Sequence, residues 1–128
     1  LKLGAGQAIG LDVDENAITA AYENLKVNYI PQEKFRVLTG NILEDISISE
    51  EIGYECYDII VANILADVLK PLTSIIPDHL KKGGIYIISG IIDSKEQEMV
   101  EAISARPELE IIEITRKNDW VSITAVGK

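Results

Sequence analysis

The stretch Tyr57–Leu65 constrains the fold more strongly than any other part of the chain. Within it, the run from Ile59 to Ala62 is continuously apolar. A strand that is buried on both faces has this pattern, as the middle strands of a parallel sheet do. We therefore predict an α/β fold in which this strand is central and covered on both sides.

Asn63 is the first residue after this apolar run whose side chain can form hydrogen bonds. In open α/β sheets, ligands bind beyond the carboxyl ends of the central strands, which is where Asn63 would lie. Its carboxamide carries a carbonyl acceptor and an amide donor. An asparagine at this position can instead cap the next helix, so position alone leaves ligand binding and capping open.

Asp12 is the second candidate site residue, and it lies near the end of a predicted strand from Ala8 to Val13. Asp14 then acts as the N-cap of an amphipathic helix. An acid at the carboxyl end of a strand, beside a helix start, is where α/β proteins hold ribose hydroxyls. The alternative is that Asp12 is only a second cap. The apolar positions that define the helix are Ile18, Ala21, Tyr22, Leu25 and Tyr29.

The rest of the pattern predicts alternating strands and helices that end in a hairpin. Two prolines predict the bounds of the helix after Asn63. Pro71 favours a helix start near Lys70, and Pro77 favours a helix end at Pro77. The apolar run 85–89 reads as a strand followed by Gly90. Further strands are predicted at 34–38, 109–115 and 121–126, with a short helical piece inside 44–55.

Composition excludes some functions and leaves others open. The chain has 128 residues, a formal net charge of −9 and a single cysteine, Cys56. The negative charge argues against binding to a nucleic-acid backbone and suits a basic protein partner. No apolar run approaches the roughly 20 residues that a membrane span needs. The lone cysteine is compatible with a reducing cytoplasm, and no spacing of ligand residues indicates a metal site.

Five short motifs resemble the PrmA family of ribosomal protein methyltransferases, and the resemblance covers essentially the whole chain. The string VANILA followed by SGI is fairly specific to that family, whereas the string GLDVD alone is not. The motifs are Ile9–Asp14, Val61–Ala66, Gly83-Gly84, Ser89–Ile92 and Trp120-Val121.

The resemblance implies a Rossmann-like methyltransferase sheet, mostly parallel, with a terminal antiparallel hairpin. It implies S-adenosyl-L-methionine as cofactor and amino groups of a basic large-subunit ribosomal protein as substrate. By position, Asp12 is similar to the acid that holds the cofactor ribose, and Asn63 to the asparagine at the reactive end of the cofactor. Asn41 stands near the position where related enzymes place an Asp or Asn beside the adenine, in a more variable loop.

The same resemblance leads us to expect that residues 1–128 are an amino-terminally incomplete methyltransferase domain. The family's first strand and glycine-rich cofactor loop have no match, and that strand lies in the centre of the family's sheet. We expect this chain alone to bind the cofactor weakly or not at all. The alternatives are another S-adenosylmethionine-dependent methyltransferase, a non-catalytic Rossmann-like interaction module and, less favoured, a nicotinamide-dependent dehydrogenase.

Overall fold

The computed structural model describes residues 1–128 and divides into two compact units, Leu1–Ile52 and Gly53–Lys128. The first unit contains β1 (Ala8–Asp12), α1 (Glu15–Val27), β2 (Phe35–Thr39) and α2 (Ile46–Ile52). The second unit contains β3 (Tyr57–Asn63), α3 (Ala66–His79), β4 (Leu80–Ile92), α4 (Glu96–Ser104), β5 (Leu109–Lys117) and β6 (Trp120–Gly127). Short 3-10 turns precede β2 and α4.

The first unit is a βαβ arrangement, in which β1 and β2 pair in parallel and α1 makes the connection. Parallel strands cannot be joined by a tight turn, so the helical crossover is what allows this pairing. Leu25 of α1 is buried, and the ring of Tyr22 meets that of Phe35 edge-on at 6.0 Å. The helix stops before Tyr29, which adopts a left-handed φ of 57° and is exposed, so its predicted place on the apolar face is wrong.

The second unit contains a four-stranded sheet in the order β3-β4-β6-β5. β3 pairs in parallel with β4, whereas β4 with β6 and β5 with β6 are antiparallel. The α/β class and the terminal hairpin are therefore confirmed. The pairing is more mixed than the mostly parallel sheet that we expected, because β6 lies between β4 and β5.

β3 lies at an edge of its sheet and is not buried on both faces as the apolar run predicted. Ile60 and Ala62 pack against the core, but Ile59 and Val61 are 60% and 64% exposed. Side chains alternate between the two faces of a strand, so one face of β3 is covered and the other is open. The open face therefore carries apolar side chains that remain exposed in this chain.

The core of the second unit forms where α3 and α4 cover one face of the sheet. Each side chain that becomes fully buried in such a core contributes about 1.5–3 kcal/mol relative to its exposed state. The contributing elements are both helices and the central strands, and the fully buried apolar residues include Leu69, Tyr86, Ile88, Met99, Ile103 and Ile123.

The predicted bounds of the helix after Asn63 are wrong, because α3 begins at Ala66 and contains both Pro71 and Pro77. An internal proline removes one backbone hydrogen bond and costs about 3 kcal/mol in an otherwise regular helix. Leu69 and Ile76 of this helix are buried in the core. Tertiary packing therefore offsets a local sequence signal that favoured a shorter helix.

Exposed ion pairs connect the helices to each other and to the hairpin. Arg116 on β5 donates two hydrogen bonds to the carboxylate of Glu96 at the start of α4, at 2.6 and 2.7 Å. These bonds lower the pKa of Glu96. Lys70 on α3 bonds Glu98 on α4 at 2.8 Å, and this bond lowers the pKa of Glu98. Both contacts join α4 to a neighbouring element, and exposed pairs of this kind add little to stability.

A buried hydrogen-bond pair in the core gives the first testable prediction. The Thr73 hydroxyl donates to the Leu69 carbonyl at 2.8 Å, so the Tyr86 hydroxyl must be the donor in its 3.1 Å contact with Thr73 Oγ1. Tyr86→Phe leaves the Thr73 donor satisfied and should lower the free energy of unfolding by roughly 0.5–1.5 kcal/mol. Thr73→Val leaves a buried Tyr86 donor unpaired and should cost more, roughly 1–3 kcal/mol. Urea titration of both variants measures this difference, and equal costs would contradict the assigned donor.

The same tyrosine predicts a loss of stability in alkali. Burial raises the pKa of Tyr86 above its ordinary value of 10.0. Above that pH the unfolded chain loses the phenol proton while the folded chain retains it, so stability falls as pH rises. The stability advantage of wild type over Tyr86→Phe should therefore shrink above about pH 10. An advantage that stays constant from neutral pH into this range would contradict the raised pKa.

No helix of the structure combines the length and apolar character required to cross a membrane.

Candidate functional site

Asp12 lies at the carboxyl end of β1, and its side chain is exposed. Its Oδ1 accepts a hydrogen bond from the backbone N–H of Asp14 at 2.9 Å. Asp14 in turn caps α1, because its Oδ1 accepts from the Asn16 N–H at 2.9 Å. The cap role of Asp14 is confirmed, and Asp12 also takes part in this turn. Its Oδ2 accepts no hydrogen bond from the chain and can face a ligand.

Asn41 lies beside Asp12 at the carboxyl end of the β1–β2 pair. Asp12 pairs with Thr39 across the two strands, and the Gly40 N–H donates to the Asp12 carbonyl at 2.9 Å. Asn41 Oδ1 accepts from the Leu43 N–H at 3.0 Å, which fixes the half-buried side chain. The side-chain amide N–H groups of Asn41 remain available as donors. The first unit therefore brings two of the three predicted residues together.

Asn63 is the last residue of β3 in the second unit, and it pairs in register with Ser89 of β4. It does not cap α3: the N-cap position is held by Leu65, and no side chain caps that helix. The Asn63 carboxamide is exposed and forms no hydrogen bond with the rest of the chain. Of the two roles that its position allows, the structure removes capping and leaves a polar group available for a ligand.

Exposed apolar residues lie at the same end of the second sheet as Asn63. Leu65 follows β3 and is 76% exposed, while Ile92 and Trp120 pair in register where β4 ends and β6 begins. Trp120 is 57% exposed. Exposed apolar surface and the exposed Asn63 carboxamide therefore occur at the same end of this sheet.

His79, the only histidine, has a structural role. It ends α3 and is buried, and Tyr54 stacks on its ring at 5.0 Å. Its Nδ1 lies 2.6 Å from the Gly53 carbonyl, and because a carbonyl can only accept, Nδ1 carries the proton. No group of three or more His, Cys, Asp or Glu residues is arranged to hold a metal ion.

Gly90 lies directly beside Asn63, a contact that the sequence pattern does not predict. The apolar run 85–89 predicts a strand that ends before Gly90, whereas β4 continues through Gly90 to Ile92. An isolated glycine within an apolar strand pattern is a known indication of a bulge, and the run Ile85–Ile92 carried that signal.

Comparisons with known proteins agree on one family. The family model described as ribosomal protein L11 methyltransferase (PrmA) matches residues 1–128. The ribosomal protein L11 methyltransferase of Lachnospira eligens is 52% identical over all of this chain and 40% of its own length. That of Agathobacter rectalis is 46% identical over 98% of this chain and 38% of its own length. The chain thus spans about two fifths of the length of these curated relatives.

Solved structures show the same fold. The ribosomal protein L11 methylase of Lactobacillus delbrueckii subsp. bulgaricus superposes with a TM-score of 0.84 at 29% identity, covering 99% of this chain and 61% of that one. A candidate methyltransferase complexed with SAH superposes with a TM-score of 0.77 at 11% identity, covering 96% of this chain and 40% of that one. At that lower identity, the second match shows the fold alone.

Proposed function

Because this chain belongs to the ribosomal protein L11 methyltransferase (PrmA) family, we propose that it forms part of an S-adenosyl-L-methionine-dependent protein N-methyltransferase. The substrate would be amino groups of ribosomal protein L11, a lysine side chain, the amino terminus or both. The observation that carries the proposal is the family match over residues 1–128. The Asn63 carboxamide also supports the proposal, because it is exposed and forms no hydrogen bond in the chain, so it can bind an amine.

The residues of the first unit fit the nucleoside part of the cofactor. Asp12 Oδ2 can accept a hydrogen bond from a ribose hydroxyl while Oδ1 stays bonded to Asp14. Asn41 offers amide donors from a side chain already fixed by Leu43. When bound, the cofactor supplies a methyl group on a sulfonium centre.

Asn63 would act on the amine that receives the methyl group. A free lysine has a pKa of about 10.4, so the amine must lose a proton before its lone pair can react. The Asn63 carbonyl can accept a hydrogen bond from the neutral amine and orient that lone pair in line with the methyl group. Positioning of this kind accounts for much of the rate enhancement in transfers between two bound groups.

The charge of the chain suits this substrate class. A net charge of −9 attracts a basic ribosomal protein over long distances and raises the rate of encounter. Methylation of a ribosomal protein would take place in the cytoplasm, together with ribosome assembly.

We also propose that the methyltransferase domain needs a further strand beside β3. The free edge of β3 exposes backbone hydrogen-bonding groups, and Ile59 and Val61 expose apolar surface next to them. An unprotected edge of this kind is a site for pairing with another strand.

Calorimetric titration with S-adenosylhomocysteine tests both proposals. The chain alone should bind weakly or not at all, whereas the same chain extended upstream by its native sequence should bind and release heat. Binding by neither form would contradict the methyltransferase proposal and favour a non-catalytic module. Equal binding by both would contradict the need for a further strand.

The substrate is tested separately with the extended enzyme and a radiolabelled methyl donor. Purified L11 should be labelled, and L11 with its amino groups chemically blocked should not. Labelling of other proteins or small molecules in place of L11 would favour a methyltransferase of different specificity.

A further inference from the structure

Gly90 lies at a bulge in β4, directly beside Asn63. Ile88 pairs with Ile123 and Ile91 pairs with Val121, so β4 contains one more residue than β6 over this interval. Gly90 adopts a left-handed φ of +72° there. Bulges with glycine in this conformation bend a strand locally and are frequent next to active sites, where they redirect a side chain.

The space next to Gly90 is filled by the Asn63 carboxamide. A Cβ placed on Gly90 would collide with Asn63 Oδ1, and apart from the adjacent residues of the chain the only other atom within 4 Å is Asn63 Cγ at 3.3 Å. The obstructing group is the end of a flexible side chain and not backbone. A side chain at position 90 would therefore be accommodated by displacement of the Asn63 amide.

We propose that Gly90 is a positioning residue that sets the orientation of the Asn63 carboxamide. No hydrogen bond within the chain fixes that amide, so its close packing against the bare Cα of Gly90 is the contact that determines where it points. The inference about orientation rests on geometry alone. Its consequence for turnover rests on the proposed function.

Gly83 provides a matched control on the same strand. Its φ of +78° is nearly that of Gly90, but a Cβ at Gly83 would meet no atom within 4 Å apart from those of the adjacent residues. Gly83→Ala thus introduces the same left-handed strain as Gly90→Ala without touching Asn63. An effect seen in both variants results from backbone strain, whereas an effect seen only in Gly90→Ala results from displacement of the Asn63 amide.

The first test is structural and is made on the complete protein that contains this chain. The side-chain amide resonance of Asn63, assigned by its loss in Asn63→Ala, is recorded by ¹⁵N–¹H correlation spectroscopy. It should move in Gly90→Ala and stay in place in Gly83→Ala. An unmoved resonance in folded Gly90→Ala would overturn the proposal.

The second test is kinetic and uses the same variants with L11 as substrate. Gly90→Ala should lower kcat by about tenfold to a hundredfold, as expected when a reacting group is misplaced by about 1 Å. Gly83→Ala should leave kcat within about twofold of wild type. Combined with Asn63→Ala, the Gly90 change should cause no further loss, because the group that it displaces is already gone. A further full loss in the double variant would contradict action through Asn63.

The two proposals fail in different ways. Absence of methyl transfer by the wild-type protein would count against the proposed function, while the resonance of Asn63 still decides the positioning. If Gly90→Ala alone does not fold, the double variant with Asn63→Ala decides instead. Recovered folding would support a collision with the amide, and failure to recover would contradict it.

Discussion

Asn63→Ala should lower the turnover of methyl transfer by about a hundredfold, the loss expected when an oriented reacting group loses its partner. The amide is exposed and bonds to nothing in the chain, so its removal should change the free energy of unfolding by less than about 0.5 kcal/mol. Single-turnover kinetics with L11 measures the first quantity, and urea titration measures the second.

Asn24→Ala is the matched control for this variant. Asn24 is exposed on α1, and its side chain likewise forms no hydrogen bond in the structure, so the chemical deletion is the same away from any strand end. Its turnover should equal that of wild type. Normal turnover in folded Asn63→Ala would remove Asn63 from the site.

The helix α3 shows where local sequence rules stop being sufficient. Pro71 and Pro77 favour boundaries, but both lie inside the helix. Burial of Leu69 and Ile76 depends on which faces meet in three dimensions, and this information is absent from the local pattern. A tertiary contribution of several such side chains exceeds the cost of two missing backbone hydrogen bonds.

The strand β3 shows a different limit. The apolar run predicts a strand from Tyr57 to Ala62, and β3 occupies this position and extends one residue further, to Asn63. The run also predicted cover on both faces, whereas Ile59 and Val61 are exposed. An apolar run indicates that a strand suits buried surroundings, but it does not show which elements cover each face.

Gly90 shows a third limit of what the sequence can predict. The apolar run 85–89 predicts a strand that ends before Gly90, although an isolated glycine in such a run also indicates a bulge. Its function in the structure depends on a positive φ and on the neighbouring Asn63, which is distant in sequence. For Asp12, the sequence predicts the place beside a helix start but leaves open whether the side chain binds a ribose or only serves the turn. The structure shows its hydrogen bond with the Asp14 N–H.

Asp12→Ala should weaken binding of S-adenosylhomocysteine to the complete protein by roughly 1.5–3 kcal/mol, the value of a hydrogen bond to a charged group. This corresponds to an increase in Kd of about 10- to 150-fold. The substitution also deletes the acceptor for the Asp14 N–H, which is a local structural loss. Asp12→Asn separates the two effects, because it keeps that acceptor and removes the charge that would hold the ribose.

Asp14→Ser is the control within the same turn. Serine retains an oxygen that can cap α1, so this variant removes one negative charge from the loop while the helix start remains satisfied. If Asp12 binds the ribose, Asp14→Ser should bind the ligand nearly as wild type does, and Asp12→Asn should bind it several-fold more weakly. A ligand analogue that lacks a ribose hydroxyl should bind wild type more weakly but bind Asp12→Ala with little further loss. An unchanged Kd in Asp12→Ala, or equal losses in the Asp12 and Asp14 variants, would show that the acid at the end of β1 serves only the turn.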